Sequence, residues 1–237
     1  MSVEFEDQDL SGAVFWGVYL RDARFRDVDF TGARTHHVVL RDVEFDGPID
    51  HLVVNGVDVT DYVNEHDPWQ PLRGMTEPAT VEGVRESWAA FTSAWDDLIV
   101  EVSALPPSHT TASVDGEWSF VQTLRHLLFV ADKWILGPMT DRAWSTLGLP
   151  NSGSVDFDWP GIDPDADPTI DEVLAERAEQ ASAVSALAAP GDAECLTDTV
   201  TVFENDTATV LDCWHTLFEE AFEHLRYARR DLDQLGR

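Results

Sequence analysis

Lysine is almost missing from this chain: Lys133 is its single ammonium, and every other strong base among the 15 Lys and Arg is an arginine. Against them stand 45 Asp and Glu, a formal net charge of −30. A surface that acidic repels phosphate backbones and anionic headgroups, which argues against nucleic acid as a partner through a basic face. The arginine bias itself reads as genome style or salt adaptation. Cysteine is equally scarce, and Cys195 and Cys213 cannot make a disulfide framework. Long apolar runs are lacking too: Leu127 to Ala131 falls far short of the roughly 20 residues a membrane helix needs, so no membrane partner is expected. No basic n-region followed by an apolar h-region opens the sequence, and a cytoplasmic setting is expected.

What is present suffices for a globular core, with 43% hydrophobic and 10% aromatic residues. The first 45 residues divide into fives: MSVEF, EDQDL, SGAVF, WGVYL, RDARF, RDVDF, TGART, HHVVL, RDVEF. Each block except TGART ends in Phe or Leu. The middle position is Val3, Gln8, Ala13, Val18, Ala23, Val28, Ala33, Val38 and Val43, small and apolar in all but the second block. A period of five fits neither the helix period of about 3.6 nor the strand period of 2, and short fixed periods signal stacked coils.

This stretch resembles the pentapeptide-repeat family. The resemblance implies a right-handed quadrilateral β-helix with middle and last residues pointing inward. Nine blocks make little more than two coils, so a stub docked on something else is expected. The rhythm ends at Pro48 and Asp50. Beyond it, "LVVNGVDV" carries Asn55-Gly56 between β-branched runs, a hairpin signal that could close the stub.

Residues 61–78, rich in Pro and polar side chains, read as a linker. Four helices are then expected. Thr80 caps the first, which runs to Pro106-Pro107 with Val84, Trp88, Phe91, Trp95, Leu98 and Val102 facing inward. Ser119 with Gln122 forms a capping box for the second, ending at Gly137-Pro138. Thr169 with Glu172 forms another for the third, ending before Pro190-Gly191. Asp206 is the expected cap of the fourth, whose seam is Leu211, Trp214, Phe218, Ala221, Leu225, Ala228, Leu232 and Leu235. The long connection between the second and third helices could cover one mouth of the bundle. The fold expected is therefore mixed: a β-helix over residues 1–60, then an all-α four-helix bundle over 79–237.

On the fourth helix His224 lies roughly 60° and Glu220 roughly 100° from the seam, so both border the core. His215, Glu219, Glu223, Arg226 and Arg230 mark the wet face, with Glu223 and Arg226 as an i,i+3 pair. If Arg125 and Asp132 mark the wet side of the second helix, His126 lies roughly 70° from its buried centre. His126, Glu220 and His224 then form a candidate divalent-metal site, with positions left for water or substrate. Zinc suits these ligands first, and nickel, iron or manganese are also permitted.

"EWSFVQTLRHL", "LGLP" (147–150) and "EEAFEHLRYARRDL" resemble the DinB-like family of four-helix metalloproteins. Many members place His-x-x-x-His on the last helix. Glu220 in place of the first His is similar to the mycothiol-dependent maleylpyruvate isomerase branch. The resemblance implies a metal that holds a low-molecular-weight thiol as thiolate, which attacks a small electrophile in S-transfer or cis–trans isomerisation. Bundles of this family commonly pair, so a homodimer is one expectation.

The remaining histidines read as exposed corners (His36, His37, His51) or loop residues (His66, His109). Cys213 could be a soft extra ligand or a nucleophile, although a small buried cysteine more often belongs to the core. Trp118, Trp134 and Trp214 could line a pocket beside the site. Two non-enzymatic readings stand beside these. An acidic DNA mimic is disfavoured because residues 1–60 hold 12 acids against 5 arginines, no denser than the rest. The other is a docking module whose metal is structural.

Overall fold

A computed structural model describes residues 5, 8–25, 28–151, 159, 161–163, 166–188, 193–203 and 206–236. The chain divides into two compact units, residues 1–47 and 48–237.

The five-residue rhythm of the first unit appears as backbone conformation. Positive φ recurs at Gly12, Gly17, Asp22, Gly32, His37, Asp42 and Gly47, five or ten residues apart. Turns close every ten residues by hydrogen bonds from Ala13 N–H to Leu10 O, Ala23 N–H to Leu20 O and Ala33 N–H to Phe30 O. Asp9 and Asp29 brace two of them by accepting from the backbone N–H two residues on. The expected β-helix is not formed as paired strands: none occurs among the described residues of this unit. Nor is its apolar side buried, since Phe15, Leu20, Phe25, Phe30, Leu40 and Phe45 are each more than half exposed. Two coils give each block at most one neighbour, too few to enclose those rings. Val3 lies outside the described residues.

The second unit opens with a hairpin, β1 (Val53–Val54) and β2 (Val57–Asp58), turned by Asn55 and Gly56 at φ 51° and 82°. Residues 61–78, read as linker, carry most of α1 (Thr60–His66) and all of α2 (Gln70–Arg73). Asp67 organises this stretch by accepting from Trp69 N–H and pairing with Arg73 at 3.1 Å.

Four long helices follow. Helix α3 (Val81–Ser103) starts at Thr80, whose hydroxyl accepts from Gly83 N–H. Its buried face is Val84, Ser87, Phe91, Trp95, Leu98 and Val102, with Trp88 half-buried and bonded to Ser185. A single turn, α4 (Ser108–Thr111), leads to α5 (Phe120–Ala131), which begins at the Ser119/Gln122 capping box. This helix does not end at Gly137-Pro138. It widens into a π-helical turn at Asp132–Leu136 and closes as α6 (Gly137–Met139). The wide turn suits Pro138, which has no N–H to give. Gly137 N–H reaches back five residues to Asp132 O, and a Cβ there would lie 2.7 Å from that oxygen and 2.8 Å from the Trp144 indole nitrogen.

Helix α7 (Ile170–Leu187) starts at the Thr169/Glu172 capping box and has its C-cap at Ala188. Pro190-Gly191 lies outside the described residues. Asp206 is not the cap of the last helix. It begins β4 (Asp206–Thr209), which pairs antiparallel with β3 (Thr199–Phe203). The cap of α8 (Val210–Leu235) is Thr209, in a box with Asp212.

Helix α5 packs against both α7 and α8, and α3 packs against α8. Phe218 stacks on Phe91 at 5.5 Å and on Trp214 at 5.6 Å, and the Trp95 indole donates to Ala221 O from α3 to α8. Among the described residues no helix is long and apolar enough to cross a membrane. Phe218 has no exposed surface whereas Val100 is 71% exposed. Phe218→Ala is expected to cost about 3–5 kcal/mol and Val100→Ala less than about 0.5 kcal/mol, measured by urea unfolding.

Candidate metal centre

The site is assembled across the contact of α5 with α8. Every described residue of α5 except Gln122 is buried, so neither Arg125 nor Asp132 marks a wet side. The segment around Leu147 covers them. Arg125 donates from Nε to Leu147 O at 2.9 Å, and Asp132 accepts from Ser145 N–H at 2.7 Å. Burial pushes the Asp132 carboxyl up and the Arg125 guanidinium down. Leu149 N–H donates to Arg125 O, which ties the LGLP stretch to the helix.

That stretch also fixes His126. Its Nδ1 lies 2.9 Å from Leu149 O. A carbonyl only accepts, so Nδ1 carries a proton, and Nε2 is the nitrogen that faces the cluster, as a donor when it too is protonated and as a lone pair for a cation when it is not. Nε2 stands 3.4 Å from Oε2 of Glu220, and the same oxygen stands 3.2 Å from Nε2 of His224. One donor atom from each of His126, Glu220 and His224 lies within 4.8 Å of the others. The structure thus brings together all three predicted residues.

Their surroundings grade from dry to wet. The side chain of His126 is 2% exposed, that of His224 16% and that of Glu220 31%, so solvent reaches the cluster on the Glu220 side. Trp118 walls it, its ring 4.7 Å from His126 and stacked on His224 at 5.9 Å. Burial opposes ionisation of Glu220, but hydrogen bonds from His126 and His224 and their charge outweigh it and hold the carboxyl at about 2. The carboxylate therefore stays ionised across the working pH range. Imidazole nitrogens and a carboxylate oxygen are donors for zinc and similar divalent ions. An Nδ1–H bonded to a backbone carbonyl is the usual support of a ligating histidine.

Other candidates fall away. Of the three tryptophans named as possible walls, Trp118 contacts both histidines, whereas Trp214 packs on Trp88 and Phe218 and Trp134 lies under Lys133. His215, Glu223 and Arg226 are half-buried instead of wet: His215 bonds Pro78 O, and Arg226 lies over Phe222 while pairing with Glu223 at 3.0 Å. The Leu149 carbonyl was not legible beforehand, because a backbone acceptor 23 residues away carries no side-chain signature.

The DinB superfamily profile matches residues 85–228, more than half of the chain, and eight copies of the pentapeptide repeat match residues 2–47. The chain belongs to the DinB superfamily, whose members typically bind a metal. No curated protein and no solved structure gives a match.

Cys213 is fully buried and its thiol is pushed up to about 11, first by burial and then by the charge of Asp212, whereas Cys195 is exposed. At pH 8 about one Cys213 in a thousand would be thiolate even if it were reached. A thiol-reactive dye is expected to titrate one cysteine in the native protein and two after unfolding; two in the native state would return Cys213 to the site.

Proposed function

We propose that this protein is a divalent-metal-binding, thiol-dependent S-transferase or isomerase built on a four-helix bundle, with His126, Glu220 and His224 holding the ion. One observation carries the reading. With Nδ1 of His126 committed to Leu149, its Nε2 lone pair points at a carboxylate oxygen that a second imidazole also faces, at 3.4 and 3.2 Å. Three donor atoms brought that close can share one cation in place of the imidazole protons, and a divalent ion satisfies all three.

A zinc or similar ion held there supplies Lewis acidity that lowers the pKa of a thiol or water bound to it. The residues do the rest. Leu149 O fixes the His126 tautomer, Trp118 holds both imidazole planes, and Glu220 contributes one negative charge and faces the open side. The thiol sulfur adds to a small electrophile. In S-transfer the new carbon–sulfur bond is kept and a leaving group or proton completes the balance. In isomerisation the adduct rotates about the former double bond and the thiol departs unchanged. Glu-x-x-x-His on α8 favours the mycothiol-dependent branch of the family, in a cytoplasmic setting. A pairing of two copies is part of this reading.

A second reading is favoured by the first unit, where Trp16 is 89% and Tyr19 82% exposed. Exposed aromatic rings at that density mark interaction surfaces, and the metal would then be structural.

Untagged wild-type protein is expected to retain close to one equivalent of zinc after dialysis. Glu220→Ala and His224→Ala should each lower affinity by about 100-fold while the helical circular dichroism is kept. Absence of metal in wild type, even after soaking with excess zinc, would sink the enzyme reading. Metal that is bound but turns over none of a panel of thiols and electrophiles would favour the second one.

A further inference from the structure

Helix α3 packs on α8 and α7 packs on α5, and a trench runs between α3 and α7 that shares no residue with the metal cluster. Two contacts bridge it. The Trp88 indole donates to Ser185 Oγ at 2.8 Å, and the Arg177 guanidinium lies over the Trp95 ring at 5.4 Å. The two helices therefore run antiparallel, and the bridges stand two helical turns apart, about 10 Å. Between the bridges the buried Phe91 forms one wall. Ala131, Ala181 and Ala221, one from each of α5, α7 and α8, leave a hollow opposite it. The trench opens between α3 and α7, where Trp88, Arg177 and Ala181 are half-buried.

Two polar groups face this space. Arg177 gives the Trp95 ring one face of its guanidinium, which leaves the N–H donors along the edge of that plane. Burial pushes Arg177 down to about 10, against the charge of the exposed Asp96, so the guanidinium keeps its proton at pH 7. Thr92 stands one turn before Trp95, and its buried hydroxyl has no hydrogen-bond partner among the described residues. A helical threonine commonly returns that bond to the carbonyl four residues back. A buried hydroxyl without it is costly unless a ligand or water supplies one.

We propose that this trench binds a short unbranched monocarboxylate, with its carboxylate on Arg177 and the Thr92 hydroxyl and its alkyl end in the alanine hollow. Charge and shape choose the class. A guanidinium edge takes a carboxylate in two parallel hydrogen bonds. The walls beyond are apolar, so a second charge at the far end would be buried unpaired. Of the roughly 10 Å between the bridges, about 3 Å goes to the head-group hydrogen bond, and about 7 Å remains for an extended chain of about six carbons. The cavity measures about 30 Å³, and about 10–15 Å³ holds one water, so it takes only the last two or three carbons and excludes a ring. This inference does not depend on the metal reading.

Calorimetric titration of the full chain with unbranched carboxylates tests it. Hexanoate is expected to bind at one equivalent. Each methylene from butanoate to hexanoate should tighten binding about fourfold, and the gain should stop by octanoate, whose chain would meet the Trp88–Ser185 bridge. Hexanol should bind far more weakly than hexanoate. Arg177→Met should weaken hexanoate by at least about tenfold with the helical circular dichroism kept, and Arg177→Lys should recover part of the loss. Ala181→Leu, which fills the hollow, should abolish the gain with chain length. Chelating the metal should change none of these results. Absence of hexanoate binding in wild type, an affinity that climbs beyond octanoate, hexanol bound as tightly as hexanoate, or wild-type hexanoate affinity in Arg177→Met would each overturn the proposal.

Discussion

The hydrogen bond between His126 Nδ1 and Leu149 O is the constraint on which the candidate site depends. Without it the ring could present either nitrogen, and its approach to Glu220 would be an ordinary donor–acceptor contact. With it, one proton is assigned to Nδ1, and Nε2 either carries a second proton that it gives to Glu220 or offers a lone pair to a cation. The 3.4 Å gap to Glu220 is then a place for positive charge, either a proton on Nε2 or a metal ion. A protonated imidazole would meet that need with one charge, and a divalent ion meets it for all three side chains together.

That hydrogen bond exists because α5 is buried all round. A helix with a free face would leave the stretch 145–149 to solvent. Here Arg125 and Asp132, two charges on a nearly dry helix, take that stretch as their partner: one donates to the Leu147 carbonyl and the other accepts the Ser145 amide. Buried charges are costly unless bonded, so the same bonds that satisfy them in part also pull the loop over His126. Structural polar groups and the candidate chemistry share one piece of backbone. The cost of this economy is visible at the end of the helix, where the ladder opens into a π turn and only glycine fits at position 137.

Local chemistry was legible in the sequence, and long-range contact was not. Thr80, Ser119 and Thr169 cap helices as read, because a cap involves only the next three residues. The grouping of His126 with Glu220 and His224 spans 94 residues, and it was read from residue types together with the family resemblance of the motifs that carry them. Arg125 and Asp132 were misread as solvent markers because their partners lie 22 and 13 residues away. The β3–β4 hairpin escaped notice although Thr199, Val200, Thr201 and Val202 alternate polar and apolar at strand period. Asp206 offered a competing helix-cap signal, and the true box used Asp212 where a Glu or Gln is the usual sign. In the first unit the rhythm foretold where the backbone turns but not a closed core. Turn geometry is local, whereas enclosure needs coils on both sides.

Charge links the cluster to the lysine. Glu220 is held near 2 by hydrogen bonds from His126 and His224 and by their charge against the opposing effect of burial, so a divalent ion taking the place of the imidazole protons would meet a carboxylate already ionised. Lys133 adds a second positive charge across the Phe129 ring. A third histidine at position 220 would have left the ion uncompensated, and its field beside the Lys133 ammonium would be harder to hold in one small volume. Glutamate lowers that repulsion without cancelling the local excess.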